Sequence, residues 1–328
     1  MYFIAHNLMS IKKNILITGG AGFIGSHLID FLMANNEYSI TCVDNFDNFY
    51  DPELKRKNIE SHISNPDFKL VEADITDKNL SEKLDERYNI VVHLAAKAGV
   101  RPSIKDPVLY QQVNVVGLQN ILEIAQQKSV KQFVFGSSSS VYGINPNIPW
   151  KESDKDLMPV SPYAFSKIAG EWLGKTYSQL YGMRFVALRF FTVYGPRQRP
   201  DLAINNFTHK ILNGEPINFF GNGDTVRDYT FVKDTVAGIV SAMLYEKSNF
   251  EIINLGNNKP VTLSELVSSL EKILGKKAIL NKLPEQQGDV PVTYADISKA
   301  QQLLKYDPAT KLEDGLKQFV SWALNNTK

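Results

Sequence analysis

The stretch Asn14-Ile15-Leu16-Ile17-Thr18-Gly19-Gly20-Ala21-Gly22-Phe23-Ile24-Gly25-Ser26-His27-Leu28-Ile29-Asp30 decides the fold. Residues 15–18 are a short apolar run that predicts a buried parallel strand, and the glycines then turn the chain into an amphipathic helix beginning near Phe23. The spacing Gly19-x-x-Gly22-x-x-Gly25 has a chemical reading. Gly19 makes a tight turn, Gly22 lets the backbone touch a pyrophosphate, and Gly25 lets the helix sit close to the strand. The start of that helix offers free N–H groups to phosphates. A second apolar run, residues 40–43, ends in Asp44, somewhat beyond the roughly 20-residue spacing of a ribose-binding acid. A carboxylate there accepts both ribose hydroxyls and repels a 2′-phosphate, so NAD rather than NADP is expected. The plain alternative is a glycine turn with Asp44 as a solvated strand end.

Working outward, apolar runs at 15–18, 40–44, 68–72, 90–94, 133–136 and 185–189 alternate with helical stretches. That is the pattern of an α/β Rossmann fold, a doubly wound parallel sheet with helices on both faces. Ligands in such sheets bind beyond the carboxyl ends of the strands, so the residues after each run carry the information. After the third run stand Asp74 and Ile75, an acid able to accept from an adenine amino group and an apolar cover for the ring; the alternative is a turn Asp capping the next helix. After the fourth stand His93-Leu94-Ala95-Ala96-Lys97-Ala98-Gly99, whose small residues let a cofactor approach the backbone. His93 reads as a strand residue with a core hydrogen bond. Asn114, on the following helix, reads as a structural tie between adjacent strands. After the fifth run, Ser137, Ser138, Ser139 and Ser140 form a bank of hydroxyls expected to face the cofactor crevice.

Ser161-Pro162-Tyr163-Ala164-Phe165-Ser166-Lys167 then opens a helix that sets Tyr163 and Lys167 on one face. A neighbouring ammonium favours a phenolate, lowering the tyrosine pKa from about 10 toward working pH, so Tyr163 is a candidate general base. An isolated Tyr-x-x-x-Lys is more often an amphipathic surface; a glycine turn and a serine bank upstream reverse that weighting.

Over nearly its full length, from Thr18 to about Leu316, the chain resembles the extended short-chain dehydrogenase/reductases, in the nucleotide-sugar epimerase and dehydratase group. The resemblance implies Tyr163 as acid/base, Lys167 as its partner and Ser138 as the residue sharing the tyrosine's hydrogen bond. It implies bound NAD, contacted by Gly19, Gly22, Phe23, Ile24, Gly25, Asp44, Asn45, Asp74, Ile75, Leu94, Ala95, Ala96, Lys97 and Asn114 with Tyr163 and Lys167. The 4,6-dehydratases carry Asp and Glu where this chain has Ser139 and Ser140, so dehydration is disfavoured. The segment Phe190-Phe191-Thr192-Val193-Tyr194-Gly195-Pro196, followed by Arg199-Pro200-Asp201, is similar to the UDP-glucuronate 4-epimerases, as are residues 44–51 and 98–103.

That resemblance implies 4-epimerisation of UDP-glucuronate to UDP-galacturonate through a transient 4-keto sugar. Arg199 would offer a fork to the carboxylate, with Ser138, Ser139, Ser140 and Thr192 as neutral donors. Arg227 would meet the UDP phosphates and Asp289 the uridine ribose. Gln286 stands where many hexose epimerases have an Arg, leaving the number of phosphate cations open. For Arg199 the plain alternative is a solvated loop cation. A 4-keto glucuronate is a β-keto acid, so such an enzyme must hold the carboxylate out of alignment with the carbonyl. The alternatives are a UDP-glucose or UDP-N-acetylglucosamine 4-epimerase, and a non-catalytic NAD or nucleotide-sugar binding protein, which would not need an activated phenol.

Residues 1–190, with a strand returning near 251–256, are expected to bind NAD, and residues 191–328 to form a smaller, interleaved α/β substrate domain. With 36 basic and 35 acidic residues, no nucleic-acid partner is expected. The single cysteine, Cys42, excludes an internal disulfide, fits a reducing compartment and reads as a small buried hydrophobe. No run approaches the roughly 18 apolar residues of a membrane span, and residues 1–10 lack a signal-peptide core, so a cytoplasmic protein without a membrane partner is expected. The first strand needs nothing before Ile11, so Met1 and Met9 both stand as starts. No metal site is expected. Fold analogy implies a homodimer through helices near 108–127 and 163–179.

Overall fold

The computed structural model describes residues 12–84, 86–284 and 290–326. Seven strands, β1 (Lys13–Thr18), β2 (Tyr38–Asp44), β3 (Phe68–Glu72), β4 (Ile90–His93), β5 (Gln132–Ser138), β6 (Arg184–Phe190) and β10 (Phe250–Leu255), form one sheet in the order β10-β6-β5-β4-β1-β2-β3. Every pairing in it is parallel. Parallel neighbours need crossover helices, which cover both faces, so these strands read as continuous apolar runs rather than alternating ones. Ile15, Leu16, Ile17, Val91, Val92, Phe133 and Val134 are accordingly buried. One core layer lies around Ile15, Ile17, Leu28 and Val134, the other around Leu16, Val91, Leu118 and Phe133. The order reverses between β1 and β4, which is the switch point where such sheets bind ligands.

The remaining strands lie outside this sheet. β7 (Thr192–Tyr194), β9 (Val226–Phe231) and β11 (Pro260–Thr262) form a three-stranded sheet, and β8 (Pro216–Phe220) pairs with β12 (Ile279–Leu283). They share a third core with the helices Ala203–Asn213, Leu263–Leu274 and Leu312–Asn326. Only Phe191 separates β6 from β7. The chain then returns through the helix Val232–Met243 to β10 in the large sheet, and leaves it again for β11. Buried Asp228 pins these crossings, accepting from the backbone N–H of Asn257, Asn258 and Ala295. Burial raises its carboxyl to about 6, with the three donors working against the shift.

The predicted strands therefore all form, and the returning strand lies beside β6. Cys42 is buried and unpaired in a disulfide. Among the described residues no helix is long and apolar enough to cross a membrane, and no group of His, Cys, Asp or Glu is placed to hold a metal. Met1, Met9, Gln286 and Asp289 lie outside the described residues.

Candidate active site

A cavity of about 760 Å³ runs along the carboxyl ends of the large sheet, from Asp74 and Ile75 past the glycine turn to Tyr163 and Arg199. The turn is built as its spacing demands. Gly19 has φ of +71°, and a Cβ there would lie 2.6 Å from the Ala95 nitrogen; at Gly25 it would lie 2.3 Å from the Gly19 carbonyl oxygen. Side chains are thus excluded where the turn meets the loop after β4 and where the helix Phe23–Ala34 meets the turn. Gly22 caps that helix without a side-chain hydrogen bond, and Gly19, Gly22, Phe23, Ile24 and Gly25 all line the cavity. Asp44 lines it too, its oxygens accepting from the backbone N–H of Ala21 at 3.0 Å and Phe46 at 2.9 Å, which fixes the carboxylate at the strand end. A glycine cradle, a helix start and a fixed acid are the donor and acceptor set that a dinucleotide needs.

Asp74 accepts from the amide N–H and hydroxyl of Thr76 through Oδ1 and from Asn45 Nδ2 at 2.7 Å through Oδ2, while Ile75 also lines the cavity. The Thr76 contacts match the local-turn alternative; the Asn45 contact ties the two strand ends. Leu94, Ala95, Ala96 and Lys97 line the cavity. Lys97 spans it, its Nζ pairing with Asp47 Oδ2 at 2.7 Å, a partner that the sequence did not single out. Asn114 does not line it. In a π-helical turn at Gln112–Val116, its amide accepts from Lys97 N at 2.7 Å and donates to Lys97 O and Ser166 Oγ. It is a structural tie, but between a loop and a helix rather than between strands. His93 makes the expected core bond, 2.8 Å to Thr18 Oγ1, and burial with the Lys167 charge pushes its pKa down to about 3, leaving the ring neutral.

The serine bank divides. Ser137 lines the cavity as expected, but its hydroxyl is already engaged, Oγ donating to Glu171 Oε1 at 2.6 Å on the helix Pro162–Tyr181. Ser138 Oγ accepts from the backbone N–H of Ser140 at 3.2 Å and from its hydroxyl at 2.9 Å, and Ser138, Ser139 and Ser140 line the cavity with Thr192.

Ser161 caps the helix Pro162–Tyr181, accepting from Ala164 N at 3.1 Å, and so aims Tyr163 and Lys167 at the cavity from one face. Here one expectation is corrected. Burial raises the Tyr163 pKa; the opposing influences are a hydrogen bond with Ser138 and the charge of Arg199, not Lys167. Lys167 Nζ instead donates to the Gly136 carbonyl at 2.7 Å and stands 5.8 Å from the Tyr163 ring centroid. Its own pKa is lowered to about 8 by burial, with Glu171 opposing.

Arg199 is not a solvated loop cation: it lines the cavity, with its guanidinium carbon 5.3 Å from the Phe49 ring centroid. Its fork is held by Asp201, Nε donating to Oδ1 at 2.9 Å and Nη2 to Oδ2 at 2.7 Å. Arg227, on β9, does not line the cavity; it donates to the Val226 carbonyl at 2.9 Å. Sequence reasoning assigned no role to Asp47, Phe49, Tyr50 and Lys55, which line the cavity, or to Asp201. The first four lie on or just after the segment 44–51, whose only signal was resemblance.

Residues 15–256 match the model of the NAD-dependent epimerase/dehydratase family. The chain belongs to that family. It is 44% identical to an uncharacterised protein of Methanocaldococcus jannaschii, over 96% of this chain and 97% of that protein. It is 40% identical to a UDP-glucuronate 4-epimerase of Thermodesulfobacterium geofontis, over 95% and 96% of the two chains. Among solved structures, it matches the UDP-glucuronic acid 4-epimerase of Bacillus cereus in complex with UDP-glucuronic acid and NAD, with a TM-score of 0.89 and 38% identity, over 96% of this chain and all of that one.

Proposed function

We propose that this chain catalyses NAD-dependent 4-epimerisation of a UDP-sugar, UDP-glucuronate to UDP-galacturonate, through a transient 4-keto sugar. The observation that carries the reading is the meeting of Tyr163, Ser138 and the Arg199 fork in one cavity with the glycine cradle. The likeness to the Thermodesulfobacterium and Bacillus enzymes supports the substrate. NAD, when bound, would supply a reversible hydride acceptor for carbon 4, and rotation of the 4-keto sugar between the two transfers would present its other face.

The chain's own residues do the rest. Tyr163 takes the proton of the 4-hydroxyl and gives it back, Ser138 shares that hydrogen bond, and the Arg199 charge favours the phenolate against burial. Lys167, anchored on Gly136, holds the nicotinamide ribose. Asp44 takes the adenosine ribose, with Asn45, Asp74 and Ile75 at the adenine. Arg199, with Thr192, Ser139 and Ser140, holds the sugar carboxylate out of the plane that would favour loss of carbon dioxide. Residues 1–190 with β10 serve the cofactor; residues 191–328 serve UDP and the sugar, with Arg227 and Asp289 at the nucleotide. On this reading the enzyme works in the cytoplasm, which a lone, buried, reduced Cys42 and a UDP-sugar substrate support.

Incubation of purified protein with UDP-glucuronate and no added cofactor tests the reading, with the 4-epimers resolved by NMR. UDP-galacturonate is the expected product; turnover of UDP-glucose alone would overturn the assignment of Arg199. We further propose a homodimer through the apolar face of Val108, Val116, Phe165, Trp172 and Leu180, each more than half exposed. Trp172→Glu is expected to halve the mass read by light scattering; an unchanged mass would place the interface elsewhere.

A further inference from the structure

Resting on the reading of Arg199 as a carboxylate clamp, we infer that Asp201 is a positioning residue that aims this clamp and thereby sets the preference for an acidic sugar. The pair is built locally. Leu202 N donates to the Arg199 carbonyl at 3.2 Å, closing a turn whose second position is Pro200, a residue with φ already suited to that place. The turn brings both side chains to one side, ahead of the helix Ala203–Asn213.

A guanidinium offers two edges to a carboxylate. Asp201 occupies the Nε–Nη2 edge with both of its oxygens. Phe49 flanks the guanidinium 5.3 Å from its carbon. The Nη1 atom donates to no described residue. Arg199 lines the cavity and Asp201 does not, and the acid's side chain is 43% exposed against 18% for the arginine. The acid therefore grips the fork from outside the cavity and leaves the terminal edge, Nη1 with the second hydrogen of Nη2, for a ligand. A flexible arginine would accept an anion in many orientations; one fixed by two parallel bonds accepts a second carboxylate only in its own plane. Asp201 thus converts a mobile charge into a directional one without touching the sugar.

The test measures dissociation constants of UDP-glucuronate and UDP-glucose with the holoenzyme by calorimetry, for the native chain, Asp201→Asn, Asp201→Glu and Arg199→Met. Asp201→Asn is expected to weaken UDP-glucuronate by about tenfold, the order lost when a charge-assisted pair loses its fixed geometry. UDP-glucose should move less than about twofold, and Asp201→Glu should recover most of the loss. Equal weakening of both ligands would reduce Asp201 to a structural role and overturn the inference. So would tighter binding of UDP-glucuronate, which would make Asp201 a competitor for the fork. If Arg199→Met weakens UDP-glucuronate while Asp201→Asn does not, the inference on Asp201 fails alone. If Arg199→Met leaves both affinities unchanged, the clamp reading fails and takes the inference with it.

Discussion

Arg189, inside the large sheet, and Arg199, in the turn beyond β7, present the same Nε–Nη2 edge to a carboxylate. The distances are 2.8 and 2.8 Å to Glu171, and 2.9 and 2.7 Å to Asp201. Their surroundings differ. The side chains of the first pair are 2% and 3% exposed, those of the second 18% and 43%. Arg189 sits opposite Ser137 in the β5–β6 register, its remaining Nη1 is buried without a hydrogen-bond partner, and its guanidinium lies 4.7 Å from the Tyr142 ring centroid. Glu171 also accepts from Ser137, so one acid ties β5, β6 and the helix bearing Tyr163. The first fork is spent on holding the frame; the second is held so that part of it stays available. Identical geometry therefore carries no functional label, and the label comes from what the unused nitrogen faces.

The most severe break in this scheme is at Tyr163, whose phenol feels the Arg199 charge and not that of Arg189. Tyr163→Phe is expected to lower kcat by about 10²–10⁴-fold with UDP-glucuronate affinity retained, as seen in steady-state kinetics and calorimetry. Next comes the frame. Glu171→Gln leaves the Arg189 charge buried and unpaired and should cost about 3–5 kcal/mol in urea unfolding. Asp201→Asn should cost less than about 1 kcal/mol in the same assay. Equal losses would erase the distinction between the two forks.

Smaller effects sharpen it. Arg199→Met removes a cation that lowers the Tyr163 pKa, so the phenol titrates higher and the acidic limb of the kcat profile moves to higher pH. An unmoved limb would mean that the charge does not reach the base. Burial lowers the Lys167 pKa to about 8, so the proposed hold of its ammonium on the nicotinamide ribose should weaken as pH rises through 8, read by calorimetry as a rising Kd for NAD; a Kd that stays flat would mean the charge is not used there.

What could be read from the sequence was what the chain encodes over short distances. The glycine turn, the strands, the Ser161 cap and the Tyr163–Lys167 spacing each follow from a local period or a backbone need. Ser137 borders the cavity as the run of serines implied, but its bond to Glu171 joins two elements and left no local trace. The effect of Lys167 on Tyr163 was misjudged because helical spacing fixes neighbours but not where a long side chain ends, here at the Gly136 carbonyl. Contacts across the cavity, such as Asp47 with Lys97, join residues far apart in the chain and leave no periodic trace.

One feature of the chain path bears on how such an enzyme changes over generations. With β6 and β7 separated by Phe191, and with the chain going back to β10 before leaving again for β11, no single cut yields two halves with complete sheets. The two small sheets are therefore not built from one continuous stretch of chain that could be exchanged as a cassette. On the proposed reading of Arg199, point changes in the turn from Arg199 to Leu202 offer a route to new sugar preferences that needs no such exchange.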